Sequence, residues 1–95
     1  MIHPLTNQLI DKLCPSDFRH FLENLLSSCF EFPATDRVQL AVLRGTSWDL
    51  EKIRKNILLA NSDWRDLLVQ ADFAEDLNEH ENWQKNAIKY SSIDV

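Results

Sequence analysis

This 95-residue chain contains one glycine and three prolines. Tight turns draw on those two residues, because Gly adopts positive φ without strain and Pro presets its own φ. A β-rich fold places a turn signal about every 8–12 residues, and this chain lacks the residues for that. Helices joined by short links need far fewer. The expected fold class is therefore all-α, a compact bundle of five to six short helices. Surface scaling for this mass gives about 16,000 Å² unfolded and about 5,700 Å² folded, so about 65% would be buried. With 44% hydrophobic residues, one modest core can be filled. Residues 1–90 are read as one domain and 91–95 as a fraying tail.

Hydrophobic spacing places the helices. Leu5, Leu9 and Leu13 recur every four residues behind Pro4, which suits a first helical position. Phe18, Phe21, Leu22, Leu25, Leu26 and Cys29 follow the helical period, predicting a helix over 16–30. Thr35 is an N-cap for a helix over 36–44, with Asp36 in its first turn. Gly45 stands where a left-handed C-terminal cap belongs. Thr46 with Asp49 resembles a capping box opening the next helix, whose apolar face is Leu50, Ile53, Ile57 and Ala60. Asn61-Ser62-Asp63 supplies another cap before the stripe Trp64, Leu67, Leu68, Ala71. A last helix is expected over 75–90. The expected core is Leu9, Phe18, Phe21, Leu22, Leu25, Val38, Val42, Leu50, Ile53, Ile57, Trp64, Leu67, Leu68, Leu77 and Ile88.

The formal net charge of −5 has a location. Residues 1–60 hold seven basic and seven acidic residues; residues 61–95 hold three and eight, and 3 − 8 = −5. Asp72, Glu75, Asp76, Glu79 and Glu81 fall together without an intervening Lys or Arg. A surface of this sign repels phosphate and anionic lipid. The apolar runs are far shorter than the ~20 residues of a membrane-spanning helix, and Met1-Ile2-His3-Pro4 does not open a signal peptide. A cytoplasmic protein with no membrane partner is expected. There, Cys14 and Cys29 would be reduced thiols, Cys29 packed on its apolar stripe and Cys14 exposed.

Chemistry-bearing constellations are sparse. His3, His20 and His80 are far apart, and neither H-E-x-x-H nor a glycine-rich phosphate loop occurs. Asp76, Glu79 and His80 share one stretch, and they carry the alternative reading of a metal-dependent enzyme. The simpler reading is a solvated face with His80 beside Asp76. A helix-turn-helix around Gly45 fits at Ala41 but puts Glu51 and Arg54 where apolar residues belong. A DNA-associated regulator is thus a second alternative, and nucleic acid is not the expected partner. No enzyme, cofactor or metal is expected.

Partner binding remains. Asp72, Asp76 and Glu79, with Glu75, lead into Trp83 and Tyr90 and share one side if the helix is continuous. An aromatic anchor beside acids suits a basic, amphipathic protein partner. Trp48 with Lys52 and Lys55 forms a second face of opposite sign, which also permits homo-oligomerisation. Arg65 is read as a bridge to an acid on another helix.

The segments Gly45, Asp49-Leu50-Glu51 and Asp63-Trp64-Arg65-Asp66-Leu67 resemble a pattern in small uncharacterised bacterial helical proteins. That resemblance implies a bacterial intracellular protein and brings no activity. Trp64-Arg65-Asp66-Leu67 is also similar, more weakly, to the second helix of death-fold adaptor domains. The expected function is a non-catalytic protein–protein interaction or regulatory module with an acidic C-terminal face.

Overall fold

The computed structural model describes residues 1–90; the tail expected to fray, 91–95, lies outside them. Five helices follow in order: α1 Pro4–Leu13, α2 Ser16–Ser28, α3 Asp36–Leu43, α4 Leu50–Gln70 and α5 Glu79–Lys89. No strand occurs among the described residues. The all-α expectation holds, with α4 made of two rods. Asp63 leaves helical geometry at φ −157°, ψ 88°. Its carboxylate accepts from the N–H groups of Arg65 (3.2 Å) and Asp66 (3.4 Å) and so caps the second rod. Just before it, the Ser62 hydroxyl donates to the Leu58 and Leu59 carbonyls. The accessible surface is 5762 Å², close to the scaling value.

Helix α3 is the centre. Val38 to Leu43 are all buried, and α3 packs against α1, α4 and α5, with α1 also against α5. A helix buried on every side reads as a short apolar run, not a stripe. For this reason Leu40 and Leu43, expected only to flank a face, are fully buried. Among the expected core residues, Phe21, Trp64 and Leu77 are instead exposed, while Ile10, Leu26, Phe73 and Trp83 join the core. Exposed Leu58 lines an apolar groove between α2 and α4 together with Leu25, Ile57 and Arg54, and the Arg54 guanidinium lies 5.7 Å from the exposed Phe21 ring.

The buried side chains of Thr6, Gln39, Thr46 and Gln84 all have hydrogen-bond partners. Gln39 accepts from the His3 N–H (3.0 Å) and donates to the Met1 carbonyl (2.7 Å). Gln84 donates to the Leu5 carbonyl (2.9 Å). Asp36 does more than occupy the first turn of α3. Its carboxylate accepts from the Leu5 N–H (3.2 Å), the Thr6 N–H (3.0 Å) and the Thr6 hydroxyl (2.7 Å). These are orphan donors of the first turn of α1, whose own N-cap residue, His3, makes no side-chain cap. Asp36 thus caps α1 from across the molecule, and Thr35 caps α3 through Val38 N–H as expected.

The link from α3 to α4 is two turns in succession. Arg44 at φ −61°, ψ 132° and Gly45 at φ +77° form a type II turn, closed by Thr46 N–H to Leu43 carbonyl (3.2 Å). Its third position demands positive φ, which accounts for the single glycine. Ser47 and Trp48 follow at φ 51° and 61°, closed by Asp49 N–H to Thr46 carbonyl (2.9 Å), as in a type I′ turn. Two left-handed residues cannot continue a right-handed helix. The helix start expected at Thr46 is therefore displaced, and Asp49 is the N-cap, accepting from Lys52 N–H. Trp48 in this conformation is rare for a bulky side chain.

Both thiols lie opposite to expectation. Cys29 ends α2 and is exposed; Cys14 is half-buried. Burial pushes the Cys14 thiol up to about 11, with Arg19 pulling weakly the other way and Glu23 and Asp17 adding to the rise. The thiolate is the reactive form. At neutral pH a disulfide reagent is expected to label Cys29 well before Cys14. The unfolded chain releases the Cys14 proton near 9 and the folded chain near 11. Stability should therefore fall as pH rises through that window, and less so in Cys14→Ala. Denaturation at pH 8 and pH 10.5 checks this.

Candidate functional site

The first part of the acidic stretch, Asp72 to Asp76, is not helical; Glu79 and Glu81 lie in the first turn of α5. α4 ends in a Schellman motif, with Phe73 N–H to Leu68 carbonyl (2.8 Å) and Asp72 N–H to Val69 carbonyl (3.1 Å). Asp72 holds the left-handed position at φ 64°, where Gly is usual, and this absence of glycine hides the helix end from sequence. Arg37 then takes the next carbonyls, donating through Nε and Nη2 to Phe73 and through Nη2 to Ala74 (3.1 Å). The backbone runs non-helical to Asn78. Asp76 accepts from Asn78 N–H (2.8 Å), an Asx turn leading into α5.

The five expected partner-binding residues are consequently not one helical face. Asp72 and Asp76 lie in the loop, Glu79 begins α5, and Tyr90 is its exposed C-cap with Lys89 Nζ 5.3 Å from the ring. Trp83 is 6% exposed and belongs to the core. Its ring lies 5.8 Å from Phe73, and the Arg44 guanidinium stands 5.1 Å from Phe73 and 5.7 Å from Trp83. The bridge expected of Arg65 does not form either. Its guanidinium lies 5.2 Å from its neighbour Trp64, and the two ion pairs among the described residues both belong to Arg19, with Asp11 and Glu23. No cluster of three metal-ligating side chains occurs among the described residues, so Asp76, Glu79 and His80 do not converge.

The structure opens a different surface at the same end. A groove of about 380 Å³ runs between the start of α3, the second rod of α4 and the loop before α5. Val38, Leu68, Trp64, Leu77 and His80 line it, with Arg37 and Asp36 at one side. Trp64 is 42% and Leu77 73% exposed. Both were expected in the core, because their spacing fits an apolar stripe. The kink at Asp63 puts Trp64 at the very start of a rod, past the core's edge. Leu77 belongs to the loop and so has no helical stripe to join. His80 sits edge-on to Phe73 (6.3 Å), and its Nδ1 is buried without a hydrogen-bond partner, as is Trp83 Nε1. A buried ring nitrogen left unpaired is uncommon, and His80's lies in a side chain that walls the groove.

The loop beside this groove carries Glu75 and Asp76, and Glu79 adjoins His80. Asp63 and Asp66 flank Trp64. The groove offers apolar and aromatic contact, with carboxylates adjoining its wall residues in sequence. Nothing in it aligns a nucleophile with a base. No helix among the described residues is long and apolar enough to cross a membrane. Compared with protein-family models, with curated proteins and with solved structures, the chain shows no match.

Proposed function

We propose that this protein is a non-catalytic interaction module, and that its groove takes a basic, amphipathic segment of a protein partner. One observation carries the reading. Two large apolar side chains, Trp64 and Leu77, stand exposed on opposite elements of one groove. Holding them there leaves apolar surface in water that a partner would cover, at about 25 cal/mol per Å². The adjoining carboxylates supply the sign of that partner. Leucines at i, i+3, i+4 and i+7 of a helical segment would meet Trp64, Leu68 and Leu77, and lysines beside them would meet Glu75, Asp76 and Glu79. Relative to the acidic face expected from sequence, this reading keeps the acids as the partner's charge complement and takes Trp64 in place of the buried Trp83 as the aromatic anchor.

The test uses synthetic peptides of about five helical turns, one patterned with Leu and Lys and one with Leu and Glu. Anisotropy of the labelled peptides should show saturable binding of the Lys peptide, weakening as salt rises. The Glu peptide should bind at least about tenfold more weakly. Equal affinity for both would remove the charge-matched reading, and no binding of either would remove the groove.

A further inference from the structure

We propose that a second concave site, between the α3–α4 turn and the end of α4, binds a small phosphorylated molecule carrying hydroxyl groups. The cleft measures about 390 Å³ and is walled by Arg44, Lys52, Lys55, Asn56, Gln70 and Asp72. Three cations on two elements meet there, and none of them pairs with a carboxylate among the described residues. In a chain of net charge −5, such a gathering raises the local concentration of anions.

Arg44 is held in place for that role. Its Nη1 donates to the Ala71 carbonyl at 2.9 Å, and its plane rests against Phe73 and Trp83. A guanidinium has five N–H donors in a fixed fork, and one of Arg44's is used by the protein. Lys52 and Lys55 project from neighbouring positions of α4, one turn apart. Between them and the end of α4, Gln70 donates to Asn56 (3.1 Å), and Asn56 donates to the Val42 carbonyl (2.9 Å). The two amides thus tie the cleft wall to α3.

Asp72 is the single carboxylate in the walls. It repels a bare polyanion and accepts a hydrogen bond from a ligand hydroxyl. With the acidic loop close behind it in sequence, this disfavours a nucleic-acid backbone and favours a small phosphomonoester. Of the opposite-sign face expected at Trp48, Lys52 and Lys55, the two lysines line this cleft and Trp48 does not.

The experiment is a backbone amide chemical-shift titration at constant ionic strength with ribose 5-phosphate, inorganic phosphate and ribose. Ribose 5-phosphate should give saturable shifts at Gly45, Thr46, Lys52, Lys55 and Ala71. Lys52→Gln with Lys55→Gln, both at exposed positions, should weaken it about tenfold. Asp72→Asn keeps a residue tolerant of the left-handed conformation. It should weaken ribose 5-phosphate binding by removing the hydroxyl acceptor's charge while strengthening that of inorganic phosphate, which Asp72 otherwise repels. Inorganic phosphate alone binding, with no gain from the sugar, would overturn the phosphomonoester assignment. Shifts spread equally over Lys12, Lys85 and Lys89, or unchanged in the double variant, would overturn the site.

Discussion

Phe73→Ala is expected to destabilise the protein by about 3–5 kcal/mol, the range for removing a fully buried phenyl ring. Phe73 is the largest of the fully buried side chains, and three structures meet on it. Its N–H closes the Schellman motif of α4, its ring contacts Trp83 and His80, and the Arg44 guanidinium rests over it. Truncation leaves a cavity and strips Arg44 of one of its two aromatic supports. Total stability for a domain of this kind is about 5–15 kcal/mol, so the variant should sit near its unfolding threshold. Urea denaturation checks it. A loss below about 1 kcal/mol would mean that the ring is not the keystone of the α4–α5 junction.

Asp36→Ala should cost about 3 kcal/mol, although Asp36 is only half-buried. The change strands Leu5 N–H, Thr6 N–H and the Thr6 hydroxyl, with Thr6 fully buried. Leaving buried donors unsatisfied costs about 1–3 kcal/mol each, less whatever water recovers. Asp36→Asn retains one acceptor and should lose about half as much. Hydrogen exchange should localise the damage, with the first turn of α1 losing protection before α4 does. Uniform loss of protection would assign Asp36 to its own helix α3, not to α1.

Much of this fold is written in the local sequence. Pro4, Thr35 and Gly45 act where spacing and propensity place them, because each solves a local backbone problem. The faces of α1 and of the first rod of α4 follow the helical period for the same reason. What escaped is decided by contacts distant in sequence. Asp36 caps α1 from thirty residues away, a relation no window contains. Arg37, distant in sequence, holds the Phe73 and Ala74 carbonyls just ahead of the expected 75–90 helix, and α5 begins only at Glu79. Asp72 ends a helix in a conformation that a reader of sequence assigns to glycine. Trp64, Leu77 and Trp83 exchanged places between surface and core because periodicity reports a stripe and not where the neighbouring elements stop. The acidic character of the C-terminal third was legible throughout; the groove beside it was not, since its walls come from α3, α4 and the loop together.

The measurement closest to the central proposal compares stability and peptide affinity in one variant, Trp64→Ala with Leu77→Ser. If these side chains form a partner-binding surface, urea denaturation should change by less than about 0.5 kcal/mol, while affinity for the Leu–Lys peptide falls at least about tenfold. A stability loss of several kcal/mol, or peptide affinity left intact, would contradict the assignment of the groove as the binding site.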